Sequence, residues 1–242
     1  MINKISNRFR KNKYLPAFFF QLLSFAALGQ GKGFVRPDVT ASFSTYKMQV
    51  AADADKKMIE LKTLIPGLMY DLRYATFNNF MRRAMYPQKT KITFLRVKAA
   101  NALLAVQKAL NEKGLGLKIF DAYRPYKVTV KFWKLIKDER FVANPAKGSG
   151  HNRGTTVDLT LIKLHTNEEL DMGTGFDNFS DTAHHGFTGL KKEVLENRLL
   201  LKTTMEQFGF KPYNDEWWHY SFHNGKQYEI LDLSFKKLMR EL

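Results

Sequence analysis

No cysteine occurs in the 242 residues. Disulfides and thiolate metal sites are therefore excluded, and His, Asp and Glu are left as the strong metal ligands. No apolar run reaches the roughly 20 residues that span a bilayer. The apolar stretch from Tyr14 to Leu28 is interrupted by Pro16, Gln21 and Ser24. No acid precedes Asp38, and no repeat, low-complexity tract or long run of one charge follows it. Basic residues come in short pairs such as Arg82-Arg83 and Lys191-Lys192. A chain this basic invites a nucleic-acid reading, but no recognition motif accompanies the charge, so no nucleic-acid partner is expected.

What is present points to one globular domain. The chain is 44% hydrophobic and 14% aromatic, enough for a sizeable core. The net charge is +16, and five of those charges lie within the first 13 residues, so removal of residues 1–29 leaves +11. That basic segment, the apolar stretch and Ala27-Leu28-Gly29 read as a cleavable export signal over residues 1–29. The expectation is an exported, periplasmic protein with no stable membrane anchor once the signal is gone. Residues 30–55 read as a loose leader, and 56–242 as one folded domain.

Val97, Ala100, Leu103, Val106 and Leu110 recur at helical spacing, which predicts a helix over 95–113 ended by Gly114. Leu115, Leu117 and Ile119 then alternate as a strand that delivers Asp121-Ala122-Tyr123-Arg124-Pro125 to its end. Residues 126–138 read as a helix and 189–208 as another. Residues 68–80 read as a strand or turn beside a pocket, and 171–188 as a loop. Asp158 falls between Val157 and Leu159 on a strand, facing away from both. Separated helices and short strands without a βαβ rhythm argue for an α+β fold.

The chemistry gathers in Ser149-Gly150-His151-Asn152-Arg153-Gly154 through Asp158-Leu159-Thr160, and in Glu216-Trp217-Trp218-His219. His151, Asp158 and His219 offer two nitrogens and an oxygen, the three-ligand set of a catalytic zinc with an open position. Taken alone, Asp158 is equally readable as a buried carboxylate paired with Arg153, and each histidine as a hydrogen-bonded or surface residue. Glu216, three residues before His219, is a candidate base for a water whose pKa a metal lowers. On a regular strand that spacing puts the two side chains on opposite faces, so a bulge or bend is expected there. Arg124 is a candidate for stabilising an oxyanion, or else an ordinary salt-bridge partner of Asp121.

At these residues the chain resembles the D-alanyl-D-alanine dipeptidases of the VanX type. Further matches are Tyr74-Ala75-Thr76 with Asn79-Phe80, Met172-Gly173 with Phe176-Asp177, and His184-His185. The resemblance implies one zinc per chain on His151, Asp158 and His219, Glu216 as base and Arg124 stabilising the transition state. It also implies that Ser149, Tyr74 and Asp177 line the pocket of a small D,D-dipeptide, with Asp177 meeting its free amino group. The implied fold is a single domain with a small antiparallel sheet flanked by helices, shared with zinc D,D-carboxypeptidases and the hedgehog signalling domain. Gly150 departs from the serine that vancomycin-linked members tend to carry, and the short loop over 139–148 predicts a wider pocket entrance. A D,D- or L,D-carboxypeptidase trimming peptidoglycan stems is the alternative activity. A non-catalytic module has no use for the free carboxylate of Glu216.

Overall fold

The computed structural model describes residues 34–240; the export signal expected over 1–29 lies outside them. The stretch expected to be a loose leader carries regular structure from Val39 on. It forms β1 (Val39–Thr40) and α1 (Phe43–Ala52), with Ser42 capping the helix by accepting from the Thr45 N–H. Tyr46 is the buried residue of α1, so the helix has no apolar stripe for a sequence reading to detect. Long-range contacts hold the segment instead. The Met58 N–H donates to the Tyr46 hydroxyl at 2.8 Å. β1 pairs in parallel with β9 (Ile230–Leu231), close to the other end of the chain.

β2 (Met58–Glu60) pairs antiparallel with β4 (Phe94–Arg96), and α2 (Leu61–Leu64) follows β2 directly. The stretch 68–80 contains β3 (Met69–Tyr70) and a tight helical turn at Arg73–Ala75. The expected first long helix is α3 (Val97–Asn111), which buries Ala100, Leu103, Val106 and Leu110. Gly114 reverses the chain at φ +70°, a left-handed conformation that glycine adopts without a Cβ penalty. β5 (Leu115–Asp121) then leads into α4 (Tyr126–Leu135), with Pro125 immediately before its first residue. α5 (Gly150–Arg153), β6 (Thr156–Lys163), α6 (Lys192–Gln207), β7 (Phe210–Tyr213), β8 (Glu216–Phe222) and α7 (Phe235–Met239) complete the order.

The main sheet runs β3-β5-β6-β8-β7. The fold is α+β, as expected, but the sheet is not purely antiparallel: β3 lies parallel to β5, through Met69↔Lys118 and Tyr70↔Ile119. Two residues of a distant segment docking on a sheet edge leave no periodic mark in the sequence. The central strands are buried on both faces. Val157, Leu159 and Leu161 of β6 pack into the core, while Thr156, Asp158 and Thr160 are buried on the other side.

The His185 ring lies on the other face of β8 from the candidate ligand His219. Tyr220 and His219 are successive residues of a regular part of β8 and point to opposite faces, and the His185 ring packs edge-on against Tyr220. The buried Nε2 of His185 has no hydrogen-bond partner. Burial, then the charges of Lys202 and Arg198, push its imidazole down to about 4. As pH falls, the unfolded chain takes up this proton near its ordinary pKa and the folded chain only near 4. The stabilisation is therefore complete above the ordinary histidine value and lost on acidification towards 4. For this half-buried group we expect wild type to lose about 2 kcal/mol more than His185→Phe over that window. Urea unfolding of both proteins across pH measures it, and parallel pH profiles would refute it.

Candidate active site

The stretch 149–154 forms a short helix because both of its ends are capped. The Ser149 hydroxyl accepts from the Asn152 N–H at 3.2 Å, and Asn152 Oδ1 accepts from the Ser149 N–H at 3.0 Å. Gly154 closes the turn at φ +71°. The Asn152 amide donates to the Arg124 carbonyl and to Thr129, so the end of β5 and the start of α4 are tied to α5. His151 Nδ1 lies 2.7 Å from the Ala122 carbonyl. A proton on Nδ1 donates there and leaves the Nε2 lone pair free for a metal.

Gly150 has a steric role. A Cβ at this position would come well under 3.0 Å from Thr156 Oγ1. Thr156 is fully buried and shares a 2.7 Å hydrogen bond with Ser221. Gly150→Ala is thus expected to destabilise the protein by about 1–3 kcal/mol through overpacking. It should also weaken metal retention, because His151 is the next residue. Thermal unfolding and metal analysis read both, and an unchanged midpoint would disprove the clash.

Asp158 and His219 are direct cross-strand partners in β6 and β8. His219 Nδ1 stands 2.9 Å from Asp158 Oδ1, and His151 Nε2 stands 3.4 Å from Asp158 Oδ2. One ligand atom from each of the three residues falls within 4.8 Å of the others. The pairing of Asp158 with Arg153 does not form, since Arg153 donates to the carbonyls of Tyr228 and Lys147. Burial, followed by the charge of Asp121, raises the Asp158 carboxyl well above its ordinary value. Burial, followed by the charge of Arg124, lowers His151. Asp158 Oδ1 is buried without a hydrogen bond. A buried carboxylate with one oxygen against each of two imidazoles, and one of those oxygens lacking a hydrogen bond, fits a divalent cation with N/O preference, zinc among them.

Glu216 and His219 meet despite their i, i+3 spacing on a strand, for the reason expected. The β7–β8 register runs Phe210↔Phe222, Lys211↔Ser221 and Pro212↔Tyr220, then jumps to Tyr213↔Glu216. The irregularity returns Glu216 to the face of His219, with Oε2 at 3.5 Å from His219 Nδ1. Burial pushes the Glu216 carboxyl up to about 7. Trp217 and Trp218 are core, as expected, and Trp218 also lines the pocket.

Arg124 forms the salt bridge to Asp121 and also lines the cavity. Its Nε and Nη2 donate to Asp121 Oδ2 at 3.1 and 2.7 Å. Its guanidinium also lies over the rings of Tyr74 and Phe132, at 5.1 and 4.9 Å. Asp121 is fully buried at an irregularity in the β5–β6 register and accepts from the Tyr86 hydroxyl at 2.5 Å. Asp121 and Tyr86 therefore position the guanidinium. The sequence marked Asp121 only as a salt-bridge partner, and gave no sign of Tyr86.

Arg124, His151, Asp158, Glu216 and His219 share one cavity of about 270 Å³. Ser149, Tyr74 and Asp177 are among its lining residues. The Tyr74 hydroxyl donates to both Asp177 oxygens, at 3.0 and 3.1 Å. Asp177 has φ +61°, a strained backbone for a residue with a Cβ and one that recurs at functional sites. Burial, then the charge of Asp158, raises its carboxyl well above the ordinary value. Phe132, Phe179 and Tyr213, none of them assigned to the pocket beforehand, join Phe80 and Phe141 in supplying aromatic walls. The short loop does not simply leave the entrance open: residues 139–143 line the cavity, and Phe141 packs edge-on against Phe179 at 5.0 Å.

Comparison with known proteins shows what this chain is similar to. The sequence pattern of a family described as D-ala-D-ala dipeptidase matches residues 54–237. A D-alanyl-D-alanine dipeptidase of Escherichia coli (strain K12) is 34% identical over 175 residues, covering 72% of this chain and 89% of that one. A D-alanyl-D-alanine dipeptidase of Enterococcus faecium is 30% identical over 178 residues, covering 66% and 88%. Among solved structures, a mutant of the D,D-pentapeptidase VanY in complex with Zn(II) aligns at 17% identity over 56% of this chain and 76% of that one. Its TM-score is 0.36.

Proposed function

The chain belongs to the D-Ala-D-Ala dipeptidase family and is a hydrolytic peptidase, and from that premise we propose that it is a zinc enzyme cleaving D-alanyl-D-alanine or a similar D-amino-acid dipeptide. His151, Asp158 and His219 would hold the metal. When bound, zinc supplies Lewis acidity and lowers the pKa of a water towards neutrality. Glu216 takes a proton from the attacking water and passes it to the departing amine. Arg124, fixed by Asp121 and two rings, donates to the carbonyl oxygen as negative charge develops there. Asp177, held by Tyr74, pairs with the substrate's ammonium group.

The observation that carries this reading is the placement of Glu216. It is a half-buried carboxylate beside the three-residue ligand group and shares a cavity with Arg124 and Asp177. The test uses the full chain loaded with zinc, following release of D-alanine from D-Ala-D-Ala with and without a chelator. Chelator-sensitive turnover supports the proposal. Faster turnover of a longer stem peptide ending in D-Ala-D-Ala would reassign the enzyme as a carboxypeptidase. Export to the periplasm and a role in salvaging wall fragments are part of the proposal. They are supported by the basic, then apolar, N-terminal sequence.

A further inference from the structure

A dipeptide brings two charges into the cavity, and the residues lining it answer only one of them in an evident way. The acidic groups in the wall are Asp158, Asp177, Glu216 and Glu139. In the reading proposed above, Asp158 faces the metal, Glu216 serves as base and Asp177 meets the ammonium. The substrate's carboxylate is left, and the wall holds two guanidinium groups, Arg124 and Arg140. Arg124 is bound through two nitrogens to a carboxylate with no solvent exposure, and it is assigned to the reacting carbonyl. Arg140 has no part at the reacting carbonyl, and its own carboxylate partner, Asp138, is partly exposed.

Arg140 sits on the rim, with its side chain 79% exposed. Its Nε and Nη2 donate to Asp138, at 3.0 Å and 3.1 Å from Nε and 2.5 Å from Nη2. An ion pair this exposed holds weakly and gives way at little cost. Its guanidinium lies over the Phe141 ring at 5.2 Å, which keeps it at the wall rather than loose in solvent. The loop that carries it is pinned. Phe141 and Val142 N–H groups donate to the Asp138 carbonyl, Val142 is buried, and the Tyr126 hydroxyl donates to the Pro145 carbonyl. The neighbouring Glu139 is engaged by Lys147 at 2.9 Å and Asn144 at 2.8 Å, so its charge is countered locally.

We propose that Arg140 recognises the free C-terminal carboxylate of the substrate, exchanging Asp138 for it, and so sets specificity for a peptide that ends at this position. A planar guanidinium fork suits a carboxylate where an ammonium group would not. The inference rests on the dipeptidase reading, since it presupposes that D-Ala-D-Ala occupies this cavity.

The experiment compares D-Ala-D-Ala with D-Ala-D-alaninamide, which lacks the negative charge, in zinc-loaded full-length wild type, Arg140→Ala and Arg140→Lys. For Arg140→Ala, KM on the acid should rise about 10-fold with kcat within about two-fold of wild type. Its kcat/KM on the amide should match wild type, and Arg140→Lys should fall between the two. An equal loss on acid and amide would mean that Arg140 only supports the loop, and an unchanged KM on the acid would mean no contact; either overturns the proposal. Wild type inert on both peptides while holding one zinc per chain would remove the dipeptidase reading itself, and this proposal with it.

Discussion

Replacing Glu216 with glutamine should lower kcat on D-Ala-D-Ala by about three orders of magnitude, within the range that general acid–base groups supply, while one zinc per chain stays bound. Glutamine matches glutamate in size, so the half-buried site at the start of β8 and the register jump beside it survive. What it lacks is the ability to accept and return a proton. His219 stays opposite Asp158, because that pairing belongs to the β6–β8 ladder and not to Glu216. KM should change little, since Glu216 acts on the water and not on the substrate's charges. Turnover within a few-fold of wild type would assign the proton transfer elsewhere. Loss of zinc from the variant would show Glu216 to be a ligand.

Asp158→Asn should produce effects of opposite sign in the metal-free and metal-loaded protein. Without metal, Asp158 is a buried carboxylate with an orphaned oxygen and the Asp121 charge nearby. Removing the ionisable group relieves that penalty, so the metal-free variant should be more stable than metal-free wild type by about 1–3 kcal/mol. With zinc in excess the order should reverse. Wild type gains the binding free energy, and the variant, short of its one anionic ligand, gains little. Thermal unfolding of both proteins, with chelator and with zinc, reads the crossing. Variant and wild type shifted in the same direction under both conditions would refute the metal assignment for Asp158. Activity should disappear in the variant under either condition.

Much of the site was legible because its residues sit in short local motifs. The helix over Val97–Asn111 announced itself by apolar residues at steps of three and four, and these are the residues it buries. Asp158 between Val157 and Leu159 was readable as a strand position, since alternation puts the carboxylate opposite two core side chains. The bend between Glu216 and His219 followed from chemistry: two groups that are to serve one site cannot lie three apart on a regular strand, and the β7–β8 ladder breaks there.

Other features had no local signature. α1 was missed because one buried tyrosine makes no periodic stripe; the helix is held by β1 pairing with β9, almost 200 residues away. The parallel β3 edge was missed for the same reason. Tyr86 reaches Asp121 across 35 residues, and Phe80, Phe132, Phe141 and Phe179 form one wall from four segments. The sequence by itself determined the donor chemistry: which residues can bind a metal, which can carry a proton, and that no thiol takes part. Only the tertiary structure decided which of those groups face each other. It left Asp158 unpaired by Arg153, locked Arg124 on Asp121 and placed Arg140 on the rim. Covalent neighbourhood sets what a side chain is able to do, whereas its partners, burial and hence its protonation depend on strands and loops that meet only when the core closes.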